Sequence, residues 1–363
     1  MLSVASFAAG VLLIALVYWA LFQSIILPRP SPGWFRIGRY IIRTSWRVVR
    51  AAGRARGDGL RDTLLGSFAP AVTVVLLAVW LATLMLGYGL VLFAVRDQLR
   101  PVPADLGTSV YFAATSILTL GFGDIVAVGP AARVVAILAS ASGLGAVALV
   151  VTYLFSLYGS YQRREVQVVT LATAAGAPPS AVSLLETYKR LDLVAQLSPL
   201  FAEWERWAAE VLDTHVAYPL LGYFRSSHDN LTWIGALGSV LDAASLILTT
   251  IEDVPRGEAE LFRRIGAHLV EDIANLGFRS GPVRATDEAP GDSSDVDRAA
   301  FSAAYERLAL VGYRLAPMAT AWPAFQDVRA TYASRLDGMA SYWAVRSTSW
   351  LGADEAPRSQ VHG

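Results

Sequence analysis

Three long stretches of this chain carry no charged side chain: residues 2–28, 63–95 and 134–162. Each is long enough to cross a hydrocarbon core of about 30 Å, which takes roughly 20 helical residues. Backbone in lipid must satisfy its own hydrogen bonds, and within one segment only a helix does so. The first half of the chain is therefore expected to be an all-α membrane structure. Pro70 moves the start of the second crossing to about residue 71, because proline belongs to the first turn of a helix or ahead of it. Charged residues make up only 17% of the chain, against about a quarter in soluble proteins. The deficit lies before residue 160, so the remainder reads as soluble. The first stretch is read as an anchor. A cleaved signal peptide would carry its basic residues ahead of a shorter apolar core, and here they follow.

Arginine placement sets the expected orientation. Arg29, Arg36, Arg39, Arg43, Arg47, Arg50, Arg54, Arg56 and Arg61 lie between the first two stretches, whereas only Arg96, Arg100 and Arg133 lie between the second and third. Basic loops stay in the cytoplasm. The N-terminus and residues 96–130 are then outside, and everything after Arg163 is cytoplasmic. The expected location is the plasma (inner) membrane, crossed several times.

The outer loop holds the most specific pattern. Residues 106–118 are apolar enough to re-enter the membrane as a three-turn helix, with Asp105 placed to cap it. Thr119-Leu120-Gly121-Phe122-Gly123-Asp124 follows. Backbone carbonyls can replace the water around a dehydrated cation if they all point one way. That geometry requires alternate residues in conformations glycine adopts without strain, which suits Gly121 and Gly123. A threonine at the inner end adds a hydroxyl. Irregular backbone at membrane depth is tolerated where it lines such a cavity.

This hexapeptide, set between two uncharged spans, resembles the Thr-Val-Gly-Tyr-Gly-Asp signature of potassium channels, and its Phe variant resembles that of two-pore-domain channels. The resemblance covers about residues 70–160, in the order outer helix, pore helix, filter, inner helix. It implies K+ held by the carbonyls of Thr119, Leu120, Gly121 and Phe122 and by the Thr119 hydroxyl. Gly123 completes the filter and Asp124 keeps the acidic residue just outside it. Three positions depart from well-known bacterial relatives. Thr115 and Tyr111 stand where a Glu and a Trp hold the filter Asp, leaving the Tyr111 hydroxyl as the group able to reach Asp124. Phe122 and Phe112 replace a hydrogen-bonded Tyr and Trp with an apolar contact, and Leu118 replaces a common Thr. A less rigid filter is expected, with altered inactivation or relaxed preference for potassium over sodium.

Gly143 lies where the family places a gating hinge, with Gly145 as a second flexible point, although membrane glycines equally serve close packing. Val147, Val151 and Phe155 follow at helical spacing, and Phe155 near the inner end is a candidate hydrophobic gate. One filter motif occurs per chain and no repeat of it is visible, so a ring of four carbonyl sets implies a homotetramer.

Arg36, Arg39, Arg43, Arg47, Arg50 and Arg54 recur every three or four residues, with Ile37, Ile41, Val48 and Ala52 mostly opposite. This reads as a helix on the membrane surface facing anionic headgroups. A voltage sensor would need arginine at every third residue within a bundle of four helices, and a solvated basic loop is the plain alternative.

Past Arg163 and Arg164, helical patterns recur at about 180–195, 198–214, 230–252, 257–276, 296–315 and 321–347, after a segment Val166–Ala175 read as a strand or as the tail of the inner helix. Pro178-Pro179 breaks what precedes it, and residues 279–296 read as an acidic loop. Residues 231–251 would pass for a fourth span except for Asp242 at their centre, which costs about 2.5–3.5 kcal/mol in lipid. The expected division is residues 1–28 as N-terminal span, 29–69 as basic amphipathic segment, 70–162 as pore domain and 163–363 as helical cytoplasmic regulatory domain. No strand followed by Gly-x-Gly-x-x-Gly supports a nucleotide-binding Rossmann module. His215, His228, Asp229 and His268 fit no ligand spacing and read as core or surface histidines. Without cysteine there are no disulfides or thiolate metal sites. Zero net charge gives no case for nucleic acid, and no paired carboxylates or nucleophile–base set points to an enzyme. No cofactor besides the permeant K+ is implied, although the cytoplasmic domain leaves room for an unidentified ligand. A weakly selective cation channel, or a membrane-anchored sensor or scaffold with a non-conducting pore-like loop, are the alternatives.

Overall fold

A computed structural model describes residues 2–23, 37–54, 58–226, 228, 230–278, 296–345 and 349–352. Among the described residues the chain is all-α apart from one two-stranded ribbon and an isolated bridge between Ile251 and Leu315, and it divides into two compact units, residues 1–158 and 159–363.

Among the described residues, α1 (Leu2–Leu21), α4 (Phe68–Ala94) and α6 (Pro130–Ala175) are the helices long and apolar enough to cross a membrane. Between α1 and α4 lie α2 (Ile37–Arg54) and α3 (Asp58–Gly66). Pro70 sits inside the first turn of α4 rather than ahead of it, where a missing N–H costs nothing. Helices α1 and α4 pack closely because Gly10 and Gly87 meet at their crossing. An added Cβ on Gly87 would come within 3.1 Å of the Gly10 carbonyl oxygen and 2.9 Å of Ile14. Small residues are the usual means of close approach in lipid, where no hydrophobic force drives helices together.

Helix α5 (Leu106–Ile117) packs on α4, with Gly89 seated against Val110. Asp105 caps it by accepting the Thr108 N–H at 2.8 Å. Strands β1 (Leu99–Arg100) and β2 (Val126–Ala127) pair antiparallel on either side of the α5 segment. Gln98 closes this ribbon onto α6. Its carbonyl accepts from Val128 and Gly129, and its side-chain Oε1 accepts from Ala131 (2.9 Å) and Ala132 (3.2 Å). Two of the donors left open at the α6 N-terminus are thereby satisfied.

Helix α2 is amphipathic, but its orientation differs from the sequence expectation. Trp46 is buried and makes an edge-on contact with Phe68 at 4.9 Å, and Gly53 is buried beside Arg61. Val48, expected on the apolar face, is 63% exposed. The largest apolar side chain sets the rotation, since an indole gains most from burial. Arg43, Arg47 and Arg50 are exposed or half-buried on this helix. Arg39 and Arg54 lie on the same helix, and Arg36 lies outside the described residues.

In the second unit α6 continues without a break to Ala175, so Val166–Ala175 is helix. Gly176 follows with φ +86°, the left-handed residue that commonly ends a helix. Helices α7 (Ala181–Arg190), α8 (Leu197–Ala217), α9 (Trp233–Thr249), α10 (Gly257–Phe278), α11 (Arg298–Leu310), α12 (Met318–Arg329) and α13 (Ala333–Tyr342) complete it. The pattern at 321–347 is two helices, parted at residues 330–332. Residues 279–295 of the expected acidic loop lie outside the described residues.

Helix α9 is the core of this unit, buried from Trp233 to Ile247 and packed by α7, α10, α12 and α13. Asp242 at its centre is fully buried, 3.0 Å from the Arg329 guanidinium and 2.6 Å from the Tyr332 hydroxyl. A paired and hydrogen-bonded carboxylate is one that a protein interior tolerates. Residues 231–251 therefore form the core of this unit, in a helix of 17 residues that is shorter than those long enough to cross a membrane.

Candidate functional site

The site is the segment that links α5 to β2. At the end of α5 the chain turns into a run whose φ angles alternate: Thr119 has φ +55°, Gly121 φ +55° and Gly123 φ +80°. Leu120 and Phe122 between them lie outside the left-handed region. The two glycines accept this geometry without strain. For a β-branched residue such as Thr119 it is an outlier that the surroundings must hold in place.

Those surroundings are the last carbonyls of α5. The Ala114 carbonyl accepts the Leu118 N–H at 2.9 Å, and the Thr115 carbonyl accepts those of Leu120 (2.8 Å) and Gly121 (3.4 Å). The Ser116 carbonyl accepts the Thr119 N–H at 3.0 Å. Each is a C-terminal group that the helix itself leaves unpaired. With amides turned back to α5, the carbonyls of Thr119 to Gly123 accept no hydrogen bond among the described residues. The segment is exposed on a single chain, with Leu120 at 53% and Phe122 at 65%. Such a strip of unengaged oxygens is suited to replacing the hydration of a cation.

The residues expected to support this strip divide. Tyr111 lies beside the Asp124 carboxylate, but the one side-chain hydrogen bond Asp124 makes among the described residues is from the Ile125 N–H at 3.1 Å. Thr115 is buried, and its hydroxyl bonds the Phe112 carbonyl of its own helix at 2.9 Å, so it takes no part in holding Asp124. Phe112 is buried while Phe122 is exposed, and among the described residues no ring contact joins them within one chain.

On α6, Gly143 is buried against the end of α5. An added Cβ would stand 2.8 Å from the Ile117 carbonyl carbon and closer still to its oxygen. Of the two roles open to Gly143, this geometry is close packing. Gly145 faces open space. Val147, Val151 and Phe155 are all exposed on the single chain, Phe155 at 76%.

Two contacts on α6 escaped the sequence reading. Ser140 donates its hydroxyl to the Ser116 carbonyl at 2.9 Å. Ser142 lies 2.6 Å from both the Tyr18 hydroxyl of α1 and the Tyr88 hydroxyl of α4. The signal available was the polar run Ser140-Ala141-Ser142-Gly143 inside an uncharged span.

The histidines do not converge. His215 is buried, with Nε2 3.3 Å from the Arg164 guanidinium and Nδ1 2.8 Å from the Val211 carbonyl. Burial and the neighbouring Arg164 charge pull its pKa down to about 3. Arg164 is buried too, held by Glu165 at 3.0 Å and by the carbonyls of Leu221 (3.1 Å) and Phe224 (2.9 Å). His268 is exposed beside Asp272 at 3.6 Å, and Asp229 lies outside the described residues. Among the described residues no cluster of His, Asp and Glu could hold a metal ion.

Residues 72–159 match the family model described as an ion channel. This span runs from the first turns of α4 through the alternating segment to the part of α6 that ends the first unit. No curated protein and no solved structure matches the chain.

Proposed function

We propose that residues 72–159, which match the ion-channel family model, form a pore domain, and that four copies of this chain surround a potassium-selective pore with Thr119 to Gly123 as each copy's share of the filter. The carrying observation is the alternation of φ at Thr119, Gly121 and Gly123, together with amides bound back to α5 and carbonyls left free. A single chain offers one strip of oxygens, and a dehydrated cation needs a cage of them. One motif per chain then calls for four chains about a common axis. K+ is held by the carbonyls of Thr119, Leu120, Gly121 and Phe122 and by the Thr119 hydroxyl. In this assembly the exposed Phe122 ring meets a neighbouring subunit, and Val147, Val151 and Phe155 line the inner pore.

The arginine distribution supports an orientation with the N-terminus outside and the second unit in the cytoplasm. Helix α2 then lies at the inner surface with Arg43, Arg47 and Arg50 toward anionic headgroups, and the second unit is regulatory. Phe155 is the hydrophobic constriction, so Phe155→Ala raises open probability in single-channel records. An unchanged open probability removes that role.

Liposomes containing the purified chain test the whole reading. Potassium flux blocked by barium, a reversal potential near the potassium equilibrium value and a native mass of four subunits are expected. Equal sodium flux favours a weakly selective cation channel. That second reading draws on the sparse support of Asp124, where the Thr115 hydroxyl is turned away to the Phe112 carbonyl. Absence of flux leaves the sensor or scaffold reading.

A further inference from the structure

We propose that Ser140 of the inner helix is a positioning residue for the filter, acting through the Ser116 carbonyl. This rests on the filter reading above.

The argument starts from what a serine in a membrane helix ordinarily does. Its hydroxyl has no water to bond and returns to the carbonyl four residues earlier. On α6, Thr152 bonds Ala148 and Ser156 bonds Thr152 in this way. Ser140 departs from the habit. Its hydroxyl leaves its own helix and donates to the Ser116 carbonyl of α5 at 2.9 Å. That oxygen is also the acceptor for the Thr119 N–H at 3.0 Å, and Thr119 is the strained, left-handed first residue of the filter. One carbonyl thus ties the inner helix to the residue whose conformation starts the alternation.

The last four carbonyls of α5 show why the contact is placed there. Those of Ala114 and Thr115 are taken up by Leu118, Leu120 and Gly121. Those of Ser116 and Ile117 are met from α6, by the Ser140 hydroxyl and by the close-packed Gly143. Ser142, two residues from Ser140, is held from the other side by Tyr18 and Tyr88 at 2.6 Å each. This turn of α6 is fixed front and back. A carbonyl has two lone pairs, and filling the second one from α6 restrains the direction in which the first can serve Thr119. Loss of the Ser140 bond leaves Thr119 freer to leave the left-handed region, which would turn its carbonyl out of register with those that follow.

The test compares Ser140→Thr, which keeps a hydroxyl, with Ser140→Val, which has the same shape without one. Full chains are reconstituted in liposomes, and reversal potentials are read in mixed potassium and sodium. Ser140→Thr is expected to keep the wild-type permeability ratio, and Ser140→Val to lower it about three- to tenfold, the range one hydrogen bond supports. Thr83→Val is the control. Its hydroxyl bonds the Val79 carbonyl of its own helix on an exposed face at 2.7 Å, and its ratio should match wild type. Equal ratios for the Thr and Val variants overturn the proposal, as does a fall in total flux at constant ratio, which would mark a merely structural role. A matching fall in Thr83→Val overturns it too. A wild-type chain without potassium preference fails the filter reading itself, and that failure is seen before any variant is compared.

Discussion

Gly143 and Gly145 lie two residues apart on one helix, yet replacing each with alanine should move stability in opposite directions. A Cβ at 143 must travel from 2.8 Å to the 3.4 Å at which ordinary contact with the Ile117 carbonyl carbon begins, and the obstacle is backbone rather than a yielding side chain. The inner helix therefore has to shift off the end of α5, and overpacking of this kind costs about 1–3 kcal/mol. At 145 nothing lies within 4 Å, so alanine gains the roughly 0.5–1 kcal/mol that glycine forfeits inside a helix. The helix gain applies at both positions and cancels between them, so the two variants should differ by the overpacking cost of about 1–3 kcal/mol. Thermal melting of the full chain in detergent reads this difference, at about 2–4 °C per kcal/mol for a unit of this size. Gly143→Ala should also lose potassium flux, because the displaced carbonyls of residues 116 and 117 adjoin the filter. A Gly143→Ala protein melting at or above Gly145→Ala would show that α6 does not rest on Ile117, and the account of filter support from α6 would fail with it.

Tyr111→Phe removes a hydroxyl that lies beside the Asp124 carboxylate and should lower the potassium-to-sodium permeability ratio by about two- to tenfold if the two groups bond in the assembled pore, while an unchanged reversal potential would leave Asp124 without need of Tyr111. His215 stays neutral in the folded protein because its pKa is about 3, whereas the unfolded chain binds a proton below about 6.5. Its contribution to stability is complete above pH 6.5 and is lost as pH falls toward 3, by about 1.4 kcal/mol per pH unit. Tryptophan-fluorescence melts between pH 7 and pH 5 should therefore fall, and in His215→Gln the fall should be shallower. Parallel curves for the two proteins would contradict the burial argument.

The membrane half was legible because lipid imposes a demand that composition displays. Uncharged stretches mark α1, α4 and α6, and Asp105 marks the start of α5. What charge does not mark is the end of a helix. Arg163 and Arg164 end the apolar stretch, but α6 runs on to Ala175, since arginine is a good helix former and Gly176 is the first residue to turn the chain. The rotation of α2 was hidden for a similar reason. Periodicity puts arginines on one stripe, but burial is decided by Trp46, which meets Phe68 from another helix. The pairing of Asp242 with Arg329 joins residues far apart in the chain, so sequence could argue against a fourth span without supplying the partner. The polar run at Ser140 was visible, but its partner was not, because the acceptor on α5 is a backbone atom and carries no sequence mark.

Thr119 was read as a hydroxyl donor to the site, not as a strained residue, and the strain leads to a final prediction. Holding a threonine at φ +55° costs about 1–2 kcal/mol relative to its ordinary backbone regions. Glycine there would relieve that cost and give back roughly 0.5–1 kcal/mol of it as extra freedom in the unfolded chain. Thr119→Gly should then be no less stable than the natural protein. If the side chain served only packing, nothing would be lost, because Thr119 is exposed on the chain. A strained residue that a simpler one could replace without loss of stability is retained for its chemistry. Thr119→Gly should therefore melt at or above wild type while losing preference for potassium, since the inner ring of hydroxyl oxygens is gone and the carbonyls are less tightly aimed. A variant that melts normally and keeps the wild-type reversal potential would show that neither the hydroxyl nor the strain contributes to selection.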